Sequence, residues 1–392
     1  MADTSVVVVG AGPVGLITAL GLARAGVNVT VLEANPAITA GHHDLVYHWC
    51  ALPGLERIGV LDDMRSAGLT GRLLTFLVPG TGERLVIDLA GLADAIAHPY
   101  TVQLTPERFT EVILKHLGRH ENAAVRWATP VSSITPDANG VTVAIEDAGG
   151  RQQLRTEWVV GTDGAHSVVR RALGIGFPGM TWPYRFIATT TEFDWGDAGF
   201  TDATYRIGPS HPMLAANFND GLWRVSYPES RTLPAEEIPD RMTATFRAVL
   251  GADPDPPVHG WSAYRAHERA ADRFRAGRVL LAGDAAHVTN PTTSLGLATG
   301  LLDAFALIEA LAAVVHDDAD DDVLDAYALQ RRQVFYETTS PLSSRTMHLV
   351  LGVEGSSQFN AALLPYRRAV HDPHALLEVY REFGELETHT LL

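Results

Sequence analysis

The sequence predicts an α/β protein: an open parallel sheet built from strand–helix–strand units, interrupted by a mainly antiparallel β-sheet domain and followed by a helical C-terminal tail. Three observations predict it. A β-branched run, a glycine turn and an apolar helical stretch follow one another over residues 5–32. Between about Phe177 and Arg265 the texture changes to short aromatic-rich runs. After Val279 the first style returns, and helical patterning continues to the C-terminus.

Taken in order, Ser5–Val9 is a β-branched run suited to a buried parallel strand. Pro13–Ala25 then runs as a helix closed by Gly26, and Val27–Leu32 forms the second strand. Thr105–Leu117 is helical, with Pro106 in the first turn and Phe109, Val112, Ile113 and Leu117 on one face. Strands follow at Val131–Ile134, Val141–Ile145 and Gln153–Val160, separated by the turn signals Asn139-Gly140 and Gly149-Gly150. The aromatic-rich region carries Tyr184, Phe186, Tyr205, Trp223 and Tyr227, and reads as an antiparallel sheet. Pro234–Leu250 is a helix on that sheet, with a proline-rich loop at Asp253–Pro257. Val279–Ala282 returns to the parallel sheet, Ser294–Val315 is a long apolar helix, and the acidic Asp317–Asp322 is a solvated loop and helix start. The expected division is therefore discontinuous. Residues 1–71, 101–176 and 266–315 form the nucleotide-binding domain, 72–100 and 177–265 the substrate sheet, and 316–392 the helical region.

Composition narrows the function. Of 392 residues 46% are hydrophobic and 19% charged, enough apolar material for one large or two ordinary domains. A formal charge of −16 repels phosphate backbones and anionic lipid, which argues against nucleic acid and membrane partners. A lone cysteine, Cys50, excludes an internal disulfide framework and multi-cysteine metal sites, and points to the cytoplasm. The uncharged run Val6–Ala23 lacks a basic N-terminal flank and contains four glycines and a proline, so it reads as strand, turn and helix rather than signal or anchor. His42, His43, Asp44, His48 and Cys50 cluster in sequence, but their spacing fits no standard metal site.

Three motifs carry the chemistry. Gly10-Ala11-Gly12-Pro13-Val14-Gly15 matches GxGxxG between a strand and a helix. Gly10 permits the tight turn, Gly12 clears space for a diphosphate and Gly15 lets helix and strand approach. Glu33 ends the second strand, where a carboxylate binds ribose hydroxyls, so an adenine dinucleotide is favoured. The second motif, Gly161-Thr162-Asp163-Gly164, and the third, Gly283-Asp284-Ala285-Ala286-His287, also follow apolar strands.

Together, in this order and at these separations, the motifs resemble those of class A flavoprotein monooxygenases of the p-hydroxybenzoate hydroxylase type, from the first strand to about Tyr327. The resemblance implies a Rossmann-like FAD-binding domain, FAD as cofactor, and NADPH or NADH as reductant without a domain of its own. It assigns Asp284 to the ribityl chain and Asp163 and Gly164 to both cofactors. The inferred cofactor set is Gly10, Gly12, Val14, Gly15, Glu33, Gln103, Asp163, Gly164, Gly283, Asp284, Pro291, Gly296 and Leu297. The segments Tyr264–Ala270 and Thr181–Phe186 resemble family members that act on aromatic rings. There are departures. Histidines stand in Gly41–Leu45 where an arginine is common, Pro106 occupies a helix-start position of Gln or Arg and leaves Gln103 nearby, and Thr293, Ser294 and Ala298 replace small or amide residues.

In that family a reduced flavin adds oxygen at C4a, and the hydroperoxide delivers one oxygen atom to an electron-rich substrate. The implied substrate is a small aromatic or polyketide-like molecule. The expected pocket lies between the two domains, lined by Thr292, Thr293 and the aromatics Tyr205, Trp223 and Tyr227, with His211 nearby. His42, His43 and His211 are the candidate bases by residue type, and no catalytic residue is assigned. Baeyer–Villiger oxidation and epoxidation use the same chemistry. A non-redox enzyme or binding protein on the scaffold, with FAD structural or absent, is the different-class alternative.

Overall fold

The computed structural model describes residues 4–38, 46–147, 149–218, 221–251, 256–388 and 391. His42, His43 and Asp44, and most of the Asp253–Pro257 loop, lie outside them. Val6–Val9, Val29–Leu32, Trp158–Gly161, Val279–Leu281 and Ala123–Arg126 form a parallel sheet, with Arg275–Ala276 antiparallel on one edge. All four residues of Val6–Val9 are buried, as expected where helices cover both faces. Pro13–Arg24 and Leu295–Val315 pack side by side in the same core, so closely that a Cβ on Gly21 would collide with Ile308. The longer helix is apolar enough to cross a membrane, yet two thirds of that stretch is buried inside the protein.

The second layer is an eight-stranded sheet built mainly from antiparallel pairs. Its centre is the 14-residue strand Gly179–Glu192, flanked by Leu222–Ser230 and Val258–Ala270. Leu73–Val78 and Glu83–Asp88 from the earlier part of the chain complete one edge, and His287–Val288 forms the other. Ile238–Leu250 lies on this sheet; it begins four residues after Pro234, where the sequence reading starts it. The C-terminal helices Ser340–Val350, Ser357–Ala369 and Pro373–Gly384 pack against the other face and edge.

One strand reading is corrected. Gln153–Val160 is not continuous: Gly150–Thr156 closes a three-stranded antiparallel sheet, while Trp158–Gly161 enters the parallel sheet. The break at Glu157 separates an exposed strand from one buried on both faces. That difference depends on neighbours distant in sequence, which local patterning cannot see.

Candidate active site

Parallel register brings the three motifs to one edge. Val9 pairs with Gly161 and Gly161 with Leu281, so the turns at Gly10, Asp163 and Gly283 follow side by side at the C-terminal strand ends. Gly10 has φ +104°, a left-handed conformation that glycine adopts without a Cβ penalty, and a Cβ there would press on the Thr162 carbonyl. Gly15 packs beneath, where a Cβ would strike the Gly10 carbonyl and lie 2.5 Å from Thr162 Oγ1. Around Gly12 and Gly164, by contrast, no protein atom lies within 4 Å of a Cβ position. Gly12 caps the first helix without a side-chain hydrogen bond, leaving the helix N-terminus suited to a diphosphate.

Other predicted positions surround this edge. Glu33 accepts hydrogen bonds from Ala11 N (2.8 Å) and from Asn35, tying the second strand to the glycine turn. Asp163 accepts from Ser167 Oγ at 2.5 Å and from the amides of Val168 and Val169, and so holds the start of the Val168–Ala172 helix. Val14 packs against Gly283 and Gly300. Asp284 is exposed, Gly296 and Leu297 are half-buried, and Pro291–Thr293 forms a buried helical turn. Gln103 is fully buried, and neither end of its amide has a hydrogen-bond partner. A buried amide without partners is costly, so the Gln103 side chain suits a polar ligand.

Between the layers lie two small cavities of ≈ 70 and ≈ 80 Å³ that share Val46, Ala203, Tyr205 and Ser294. Thr292 lines one and Thr293 the other, as the sequence reading expects. Trp223 and Tyr227 do not reach them. Both are buried with Val225 against Ile238, Met242 and Phe246, because alternate side chains of their strand face the covering helix. The opposite face supplies Arg224 and Ser226 to the cavity. His211 is a further correction: it is exposed in the turn joining strands Ala203–Arg206 and Met213–Asn217, at φ +53°, and lines neither cavity.

The residue missed in sequence is His48. It lines the second cavity, and its ring lies 5.6 Å from that of Phe383. Its Nε2 is 2.8 Å from the Thr293 carbonyl, which can only accept, so Nε2 donates and the neutral ring keeps its lone pair on Nδ1. Burial lowers the His48 pKa, against an opposing effect of the Thr293 hydrogen bond. The contact spans 245 residues of sequence, and only the presence of a histidine hinted at it. Cys50, by contrast, is inert: burial pushes its thiol up to about 12.

Two buried carboxylates support the site from behind. Asp303 accepts from Gly283 N (2.9 Å), His287 Nε2 (2.7 Å) and Arg331 Nε (2.7 Å), with all three side chains of the triad fully buried. Burial raises its pKa, but His287 and Arg331 outweigh that and hold it below the usual carboxylate value. Glu268 accepts from the backbone and side chain of Asn290, fixing the residue before Pro291, and burial raises its pKa. The two resembling segments meet here, since Thr181 pairs with His267 and Met180 with Glu268.

The open diphosphate cradle, the available helix N-terminus and the partnerless Gln103 fit FAD. Residues 3–340 match the FAD binding domain family. The chain belongs to that family. It is an FAD-dependent monooxygenase of the aromatic hydroxylase type, with a nicotinamide cofactor as reductant. This flavoprotein is 41% identical over 341 residues to the 6-hydroxy-3-succinoylpyridine 3-monooxygenase HspB of Pseudomonas putida, covering 86% of this chain and 87% of that one. It is 38% identical to the para-nitrophenol 4-monooxygenase of a Pseudomonas species, over 86% and 85% of the two chains. The crystal structure of p-nitrophenol 4-monooxygenase PnpA from Pseudomonas putida superposes with a TM-score of 0.94 at 36% identity, covering 99% of each chain. The non-redox reading of the scaffold is thereby set aside, and the substrate is a small molecule. Among the described residues no cluster of His, Cys, Asp or Glu could hold a metal.

Proposed function

We propose that the flavoprotein hydroxylates a single-ring phenol or hydroxypyridine at a carbon activated by the ring's own hydroxyl, with NADPH or NADH as electron source. The observation that carries this reading is His48, which lines a small, largely apolar cavity and whose Nε2 contact with the Thr293 carbonyl leaves Nδ1 as the basic nitrogen. A phenol is more nucleophilic as its phenolate, and Nδ1 takes the hydroxyl proton while the Thr293 carbonyl orients the ring through Nε2. The two relatives named above act, by their names, on an oxygenated pyridine and a nitrophenol. Cavities of ≈ 70–80 Å³ suit one ring better than a fused polyketide.

FAD, when bound, would carry two electrons from the nicotinamide to O2 and so supply the activated oxygen. Gly10, Gly12, Val14, Gly15 and Glu33 hold its adenosine diphosphate, with Asp163 and Gly164 beside them. Gln103, Gly283 and Asp284 hold its chain, and Pro291, Gly296 and Leu297 its ring. Residues 72–100 and 177–265 form the substrate side of the pocket and contribute Tyr205 and Arg224 to its lining, Thr292 and Thr293 line the nucleotide-binding side, and the layers exclude water. The protein works in the cytoplasm. Aerobic turnover of a panel of phenols, hydroxypyridines, ketones and polyketides, followed by mass spectrometry, tests the proposal. Gain of one oxygen by a single-ring phenol or hydroxypyridine is the expected result; oxygen gain only by ketones or polyketides overturns it.

A further inference from the structure

A large cavity lies apart from the Gly10, Asp163 and Gly283 turns. It is a chamber of ≈ 1110 Å³ between the Gly179–Glu192 strand and the C-terminal helices Ser340–Val350, Ser357–Ala369 and Pro373–Gly384. Its volume is more than ten times that of either inner cavity. Thr293, Thr346, Tyr366, Val379 and Phe383 line both the chamber and the cavity that holds His48. The two spaces are thus separated by a partition one side chain thick.

The chamber's own surface is suited to rings. Trp182, which is 6% exposed, stands on its wall with an indole N–H that has no hydrogen-bond partner, and His348 meets that ring edge-on at 5.3 Å. Three of the exposed large apolar side chains, Met180 (47%), Val353 (67%) and Leu364 (43%), also belong to its lining. Exposed apolar groups gathered at one cavity mark a place where an apolar partner enters or docks. Arg345 pairs with Glu382, and both line the chamber, together with Arg368 and Glu378.

We propose that this chamber is the aromatic substrate's route: a ring collects against Trp182 and the apolar rim and passes between Thr346 and Phe383 to the His48 cavity. The proposal rests on the phenol reading above for the identity of the occupant. The lining residues it shares with the inner cavity favour substrate over a second protein chain as that occupant. Thr346 is well placed to set the width of the passage, because its hydroxyl is tied back to the Leu342 carbonyl of its own helix. Phe383 stands against His48 and Tyr380, so its ring forms the other jamb.

A route differs from a binding site in its kinetics. Narrowing it slows entry and exit by the same factor and leaves the equilibrium unchanged. The test uses FAD-loaded, oxidised protein and follows the flavin absorbance in a stopped-flow instrument after mixing with 4-nitrophenol or another panel phenol. The outer-chamber variant Ala362→Trp is expected to lower association and dissociation rates together, roughly tenfold, with Kd within about twofold, and Thr346→Phe, at the passage itself, to lower both rates. Phe383→Ala is expected to raise both rates. Unchanged rates in all three variants, with equilibrium binding intact, overturn the route alone. A loss of self-association in Ala362→Trp without a rate change assigns the rim to a second copy of the chain and also overturns it. If no phenol perturbs the flavin of the unmodified protein at equilibrium, the substrate reading itself fails.

Discussion

His48 shows how little a residue's type says about its chemistry before its neighbours are known. Its ring nitrogens are distinguished only by the Thr293 carbonyl, which accepts a hydrogen bond from Nε2–H and so leaves Nδ1 basic. His48→Gln should lower kcat on a phenol by about 10²-fold or more while leaving the FAD content unchanged, the usual scale for a lost general base. Because burial lowers the His48 pKa, its basic form persists below the ordinary histidine value. The acid limb of kcat should therefore fall below about pH 6.5 for a phenol that ionises well above that range, and should vanish in the variant. An acid limb retained in His48→Gln would assign the base elsewhere. Asp303 makes the complementary case. Asp303→Ala leaves the Arg331 guanidinium buried without its carboxylate, at a cost of about 3–5 kcal/mol in urea unfolding. Since its pKa is depressed in the fold, the stability that Asp303 contributes is present above about pH 4 and is lost as the pH falls below that.

At the scale of the element, the strand–turn–helix at the N-terminus carries two glycines with opposite tasks. Gly15 is packed against the Gly10 carbonyl, whereas Gly12 faces open space. Gly15→Ala should cost about 1–3 kcal/mol of stability in the FAD-free protein, because backbone must move. Gly12→Val should leave that stability within about 0.5 kcal/mol and abolish retention of FAD, since Gly12 has extended backbone and nothing beside it. Flavin absorbance and thermal unfolding of the two variants check both outcomes. Ser294 is a different kind of element boundary. It takes φ +52° at the start of the Leu295–Val315 helix, a left-handed conformation that glycine would adopt more readily. The departures at Thr292 and Thr293 are accommodated without crowding the cavities: their hydroxyls bond to Asn290 Oδ1 (2.6 Å) and Ser343 Oγ (2.9 Å).

Across the whole molecule, the C-terminal tail is tied to the third motif through one arginine. Arg331 donates to Asp303, to the Leu386 carbonyl (2.7 Å) and to Thr388 Oγ1 (2.8 Å), while Asp303 accepts from the Gly283 amide. Ending the chain after Glu385 removes two acceptors from a buried cation and should cost about 2 kcal/mol or more, read as a lower Tm. Retention of the full Tm would show that the tail only covers the surface.

The first strand–helix–strand unit, the three motif turns and the texture of the aromatic sheet were legible in the sequence, because they rest on contacts within a few residues and on backbone demands that few residue types meet. Gly10, with its positive φ, and the buried run Val6–Val9 belong to that class. The pocket was not legible in the same way. Trp223 and Tyr227 alternate correctly along their strand, but which face meets the ligand is decided by the helix that covers the other one. Likewise, the contact between His48 and the Thr293 carbonyl spans 245 residues and exists only in the folded chain, whereas His211 stays in an exposed local turn. A pattern states that two faces differ; burial, and the partner that supplies it, decides what each face does.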